Sequence, residues 1–364
     1  MKSVGVDLHK QIIVLCVVSQ ERKVLERKTF RCQDTKRIHE YFALLGEFQV
    51  VVEATASYEW FVALIERMAT RVVLAHPGKL RLIAESTRKT DKLDAQVLAE
   101  FLALDMIPPA YRPTARQREH RVLVRHRAQV MQQCSRTKCQ IRRVLSNYNA
   151  DRRDVFSAAG AEYVKELKLS SADRFVLEQL LGDLEHKKKS LDAAKKELRT
   201  FAGQGPTKDQ EIRAVLRSAP GVGEVVSDVV MAELGDVKRF RSAKQVAAYA
   251  GLTPGRRESA GKGKDLGITK QGSKLLRWAL VESAWQSIRY SLKWETIYER
   301  LKKKRGAKKA IIAVARRLLC VLVSLWKSGT PYRFGLHERP RSKPTAAECA
   351  EMAEREMEPA PEFA

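Results

Sequence analysis

Apolar residues fall into two regimes along the chain. Up to about residue 110 they come in short runs. Val4–Val6, Ile12–Val18 and Val24–Phe30, separated by brief polar turns, predict three consecutive strands. Helical spacing over Thr35–Leu45 follows, then a buried strand at Val50–Val52, a helix over Ser57–Met68 and a fifth strand at Val72–Leu74. A helix around Leu80–Glu85 and a stronger one over Asp91–Leu104 complete the region, with Pro108 and Pro109 as the stop. Strands joined by short links predict an antiparallel meander, whereas strands joined through helices predict parallel neighbours.

Further along, the period is that of long helices. Leu123, Val130, Cys134, Thr137, Ile141, Val144 and Tyr148 recur at coiled-coil spacing, as do Leu177, Leu181, Leu184, Leu191 and Leu198, with Lys188 interrupting. A break at Asn147–Gly160 predicts a long helical hairpin that pairs with itself or with a second subunit. After a boundary at Gly205-Pro206, helices are expected over Glu211–Ser218, Glu224–Leu234 and Ser242–Ala250, the first two joined by APGVG at Ala219–Gly223. The Gly- and Lys-rich stretch Gly251–Gly272 reads as a loop, with two or more helices after it. Trp278, Val281, Trp285, Ile288 and Leu292 share one helical face and are expected in the core. From Pro340 onward Pro, Ala and Glu dominate, and disorder is expected. The pattern therefore predicts an α/β domain over 1–110, a helical coiled-coil segment over 111–205, a mainly helical domain over 206–335 and a tail over 336–364.

Charge adds a partner to this picture. The 364 residues carry 68 Lys+Arg against 43 Asp+Glu, a formal net charge of +25. The surplus is local: Met1–Ala110 holds 16 basic and 14 acidic residues, Arg112–Arg143 holds ten and one, and Lys238–Lys309 holds 20 and five. A polyanion gains affinity by counterion release onto such clusters, so nucleic acid is the expected ligand of the middle and C-terminal parts. The six cysteines have no CxxC spacing, which argues against zinc and against a disulfide framework. The start, MKSVGVDLHK, lacks the apolar stretch of a signal peptide, and no run approaches the ~20 apolar residues of a membrane span. A cytoplasmic protein with no membrane partner is expected.

Four acids stand out against the neutral N-terminal background. Asp7 closes the first strand, Glu53 closes the fourth, and Asp91 and Asp94 lie three apart at a helix start. The predicted order of elements is that of an RNase H-like fold, in which the first and fourth strands are neighbours and the last helix crosses their ends. There the four carboxylates converge, repel one another and call for divalent cations, and hard oxygen ligands suit Mg²⁺ or Mn²⁺. Such ions assist phosphoryl transfer.

VGVDLHK, VVVEAT and STRKTDKLDAQVLAE together resemble the RuvC-like DEDD domain of a large family of bacterial insertion-sequence transposases. APGVG, FRSAKQVAAYAGLTP and SAGKGKDLGITKQGSKLLRWAL resemble that family's C-terminal transposase domain, in the same order. The resemblance covers residues 1–330 or so. It implies recombination of donor and target DNA through a metal site formed by Asp7, Glu53, Asp91 and Asp94, with a C-terminal serine nucleophile. It also implies a structured noncoding guide RNA and a homo-oligomer, a dimer assembling to a tetramer, acting at the bacterial nucleoid.

The family's nucleophile corresponds to Ser259, where this chain reads Ser259-Ala260-Gly261 in place of the usual Ser-Gly. A serine hydroxyl needs activation, and Arg256, Arg257, Lys262 and Lys264 are placed in sequence to hold a scissile phosphate. Ser273 is the fallback and reads better as a helix cap. Further nucleic-acid contacts are expected at Arg121, Arg125, Arg136, Lys138, Arg142 and Arg143 on the coiled coil and at Lys270 and Lys274. Gly221 and Gly223, in a turn resembling helix-hairpin-helix, are expected to let backbone N–H groups reach a phosphate. Two competing readings share the charge pattern: a junction-resolvase-like endonuclease that needs no serine, and a non-catalytic nucleic-acid-binding protein.

Overall fold

The computed structural model describes residues 1–54, 58–83, 91–259 and 262–333, with backbone alone for 81–83, 91–93, 256–259 and 262–265. The expected disordered tail lies outside the described residues. The chain divides into two compact units, Met1–Pro113 and Thr114–Ala364.

The first unit is α/β. Its order is β1 (Lys2–Leu8), β2 (Ile12–Val18), β3 (Val24–Arg31), α1 (Thr35–Leu44), β4 (Phe48–Glu53), α2 (Glu59–Ile65), β5 (Arg71–Ala75), α3 (Pro77–Ile83) and α4 (Asp91–Ala103). The sheet order is β3-β2-β1-β4-β5. The two short links make β1–β2 and β2–β3 antiparallel, and the helical crossovers make β1–β4 and β4–β5 parallel, as the connection lengths require. Side chains alternate between the faces. Val4, Val6, Val50 and Val52 pack on Ile38 and Phe42 of α1 and Phe61 and Val62 of α2. Val51 and Val73 pack on Leu98 and Leu102 of α4, and Val14, Cys16 and Val18 pack on Ala95 and Ala99. Burial on both faces explains the unbroken apolar runs IIVLCVV of β2 and VVV of β4. The edge strand β3, VLERKTFR, is mostly exposed and charged, which discourages further strand pairing.

The second unit contains α5 (Ala115–Ser146), α6 (Ala158–Glu166), α7 (Ser171–Gly203), α8 (Thr207–Arg217), α9 (Glu224–Leu234), α10 (Ala243–Tyr249), β6 (Pro254–Ser259), β7 (Lys262–Ile268), α11 (Lys274–Tyr290), α12 (Leu292–Arg305) and α13 (Ala307–Ser328). Helices α5 and α7 pair as a long hairpin around Val130, Cys134, Ile141, Leu145, Leu177, Leu184 and Leu191, with the short α6 filling the break. At its base the partner changes. Val124 and Leu198 enter the core formed by α8–α13, so the hairpin and the C-terminal helices share one unit with no division at 205/206. The buried seam also differs from the expected one at both ends of α5: Val124 and Leu145 are buried where Leu123 and Val144 are only partly so.

Two expectations fail in this unit. The stretch read as a loop contains an antiparallel hairpin, β6 and β7. On the face of α11 read as core, Val281 and Ile288 do pack against the core, but Trp278 and Trp285 are 46% and 38% exposed, and Leu292, which begins α12, is 52% exposed. The buried side is Leu276, Ala279, Leu280, Ser283, Ala284 and Ser287. The reason is distance. A Cβ on Gly221 would lie 2.5 Å from the Ser287 nitrogen and 2.7 Å from the Ser283 carbonyl, so the PGVG turn meets α11 backbone to backbone, where only small residues fit. No described helix is long and apolar enough to cross a membrane.

Candidate active site and nucleic-acid interface

Strands β1 and β4 run side by side with Val6 opposite Val52, and the next residue of each is acidic: Asp7 and Glu53. Alternation puts Gly5 and Asp7 on one face, with Val51 and Glu53 beside them. That is the face α4 covers. Both carboxylates therefore stand at the carboxyl edge of the parallel strands, under one helix.

Gly5 sets how close that helix comes. A Cβ there would lie 2.0 Å from the Ala95 carbonyl and 2.5 Å from the Ala99 nitrogen, so any side chain at this position would push α4 off the strand. A polar tie adds to the seating: Arg27 of β3 donates to Gln96, which donates to Glu100 at 2.7 Å. Beneath α4, burial pushes the Cys16 thiol above its ordinary range. The first turn of the seated helix begins at Asp91, and exposed Asp94 follows one turn on. Asp91 is described by its backbone alone. Among the described residues no three His, Cys, Asp or Glu side chains form a metal-sized group, a statement that does not extend to the Asp91 side chain. One group the sequence reading missed is His9, whose Nε2 lies 3.1 Å from Asp7 Oδ2. Its signal was available, since two residues on from Asp7 is the same face of an extended chain.

Ser259 ends β6 opposite Lys262 at the start of β7, so the strands are separated only by residues 260–261. Arg257 pairs with Lys264 in register, and Arg256 with Asp265, putting Arg256, Arg257, Lys262 and Lys264 on one small ribbon with Ser259. Ser273 caps α11, accepting from the Leu276 N–H at 3.2 Å. Lys270 and Lys274 are exposed on either side of it.

The arginines of α5 separate into two groups. Arg121 donates to the Ala232 carbonyl at 2.6 Å and the Glu233 carbonyl at 3.0 Å, capping the end of α9. Arg125 makes a bidentate pair with Glu233 at 2.8 and 2.9 Å, and this carboxylate is 3% exposed. Arg142 bonds Asp151 at 2.8 Å and faces the Phe156 ring, over which Lys138 also lies at 5.1 Å. These cations were expected on nucleic acid, and the structure gives them bonds within the chain. Arg136 and Arg143 are exposed and stay available. Gly221 is likewise used internally: its carbonyl accepts from Ser283 Oγ at 2.9 Å, while Gly223 is open at the start of α9.

Comparison with known proteins follows the same two regions. A model described as Transposase, of the DEDD type, matches residues 4–150, and one described as Transposase IS116/IS110/IS902 family matches residues 213–299. The chain is 26% identical over 354 residues to the transposase for insertion sequence element IS1111A of Coxiella burnetii, covering 92% of each chain. It is 23% identical to a probable family 20 transposase of Pseudomonas aeruginosa, over 92% of this chain and 99% of that one. It is 24% identical to a pilin gene-inverting protein of Moraxella bovis, over 92% and 98% respectively.

Proposed function

Because this chain belongs to the IS116/IS110/IS902 family of transposases and is a DNA transposase or recombinase, we propose that it cuts and rejoins DNA with two chemistries, a carboxylate metal site and the Ser259 hydroxyl. The observation that carries the reading is the pairing of Asp7 and Glu53 at adjacent carboxyl ends of β1 and β4, under the helix whose first turn holds Asp91 and Asp94. The sheet order and its mixed pairing fit an RNase H-like, RuvC-like fold.

The donor set fits a divalent cation. Asp7, Glu53, Asp91 and Asp94 offer only hard oxygen atoms, the chemistry that selects Mg²⁺ or Mn²⁺ over softer metals. When bound, such an ion supplies Lewis-acid stabilisation to a phosphate. The chain's own part is to keep these carboxylates together, through the close β1–α4 contact at Gly5 and the His9 contact to Asp7.

At the other site, Ser259 Oγ attacks a scissile phosphorus. A serine–phosphate bond forms as one deoxyribose oxygen–phosphorus bond breaks. The hydroxyl proton is lost and the departing sugar oxygen gains one, so the bond is conserved and reversal joins a new end. Arg256, Arg257, Lys262 and Lys264 balance the added negative charge. Arg136, Arg143, Lys270, Lys274 and the Gly223 N–H hold strand backbones. A structured noncoding RNA selects the donor and target, and a dimer assembling to a tetramer brings the sites together. Conservative rejoining also suits an inversion reaction of the kind named for the Moraxella relative.

The test is strand exchange between donor and target DNA with Mg²⁺ and the RNA encoded beside the gene. Wild type should give joined product, and Asp7→Ala and Ser259→Ala should each give none. Cutting that survives in Ser259→Ala, with free ends and no joining, would replace this reading with a hydrolytic junction-resolvase-like nuclease.

A further inference from the structure

At the foot of the helical hairpin, α5, α7, α9 and α11 enclose a cleft of about 210 Å³. That is below the ~300–1,000 Å³ of sites for drug-sized ligands, so it suits one planar ring or one phosphodiester unit. Its floor is apolar, with Leu198, Val225 and Leu275, and Trp278 forms one wall. Trp278 is 46% exposed, and among the described residues its ring meets no aromatic or cationic partner, whereas Trp285 on the same face packs against Tyr298 at 5.3 Å.

The remaining wall is cationic. Arg127, Lys195 and Arg199 line it together with Glu224 and Asp228. The two carboxylates are engaged: Glu224 with Arg199 at 3.3 Å, and Asp228 with Arg213 at 2.6 Å. Among the described residues Lys195 has only an exposed pairing with Asp192 at 2.8 Å, the kind worth little in water. Arg127 is half-buried and, among the described residues, donates no side-chain hydrogen bond, and burial pushes its guanidinium below the usual arginine range. A half-buried guanidinium with no hydrogen-bond acceptor among the described residues, beside an open indole, presents a fork of donors and a flat ring to whatever enters the cleft.

We propose that this cleft holds one unpaired nucleotide of a nucleic-acid strand, its base stacked on Trp278 and its phosphate on Arg127, with Lys195 beside it. Trp278 supplies a flat apolar surface that any base fits, and Arg127 supplies the anion contact. The inference rests on the family's handling of DNA and is independent of the metal and serine assignments.

Binding of the full chain to fluorescent single-stranded DNA, single-stranded RNA and duplex DNA of one sequence, without divalent metal, tests it directly. Trp278→Ala should weaken one or both single strands about ten-fold and leave the duplex unchanged, with Trp278→Phe retaining most of the affinity. Arg127→Gln should weaken the same strand, and whichever strand responds identifies the source of the nucleotide. Equal affinity of folded Trp278→Ala for every single strand, or an equal loss on duplex and single strand, overturns the proposal. Wild-type protein offers a check without substitution: irradiation with an iodouracil-bearing strand should cross-link Trp278, and a cross-link mapped only elsewhere overturns it.

Discussion

The two units present charge in opposite ways. In the first, the residues proposed to act are a few acids in a nearly neutral setting. In the second, they are a few cations among many. Asp7 and Glu53 follow paired residues of adjacent strands, and carboxylates brought close repel each other, so such a placement carries information. An arginine is a versatile structural residue, and its presence on a basic helix says little until its partner is known. Arg121, Arg125 and Arg142 bind the chain itself, whereas Arg136 and Arg143, on the same helix, are exposed and have no such bond among the described residues.

The sharpest way to break this contrast is to remove one acid. Asp7→Ala should reduce DNA cutting by ~10³-fold or more, as loss of a group acting in a concerted site does, with no loss of thermal stability. A marked drop in Tm would instead make Asp7 a structural residue. Next in size is Arg125→Ala, which strands the buried Glu233 carboxylate. It should cost ~2–3 kcal/mol in urea unfolding, the outer part of the arginine being open to water. Arg143→Ala should leave stability within ~0.5 kcal/mol and lower the salt dependence of duplex binding by about one released ion. If the two variants behave alike, the division among the α5 arginines fails.

Smaller again is Gly5→Ala. Its methyl group would press on Ala95 and Ala99, costing ~1–3 kcal/mol and lowering cutting as α4 is displaced. A hydrogen-exchange increase confined to α4 and β1 would locate the effect. The smallest effect is in acid. Burial opposes ionisation of Asp228, but His120 at 3.3 Å and the Arg213 guanidinium outweigh it and hold the carboxyl below its ordinary value of 3.8. A folded-state pKa below the unfolded one stabilises the protein above that ordinary value, and the gain is lost as pH falls through the folded value. Asp228→Asn should therefore flatten the acid side of the stability curve, and unchanged steepness would show that other carboxylates dominate it.

Much of the first unit was legible because a strand has period two and a buried parallel strand is apolar throughout. The acids ending VGVD and VVVE stood out at once against those runs. The close contact at Gly5 was not read from the sequence, although a glycine between valines in a strand is the sign of a close neighbour. The second unit was less legible for physical reasons. Gly, Lys and Asp are poor strand formers, so KGKDLGI read as a loop although its backbone pairs with PGRRES. On α11 the large apolar residues seemed the natural core, but the PGVG turn approaches so closely that Ala and Ser are inside and Trp278 is left at the surface. Periodicity identifies a face, and the neighbour's distance decides which face is buried.

On the proposed reading both Asp7 and Ser259 are needed to cut and rejoin a strand. The direct test is to trap the cut on a nicked donor that releases its downstream fragment, then map any protein–DNA adduct by peptide mass spectrometry. The account predicts DNA on Ser259 in wild type and no adduct in Asp7→Ala. Free ends from wild type with no adduct, or an adduct that persists in Asp7→Ala, would contradict it.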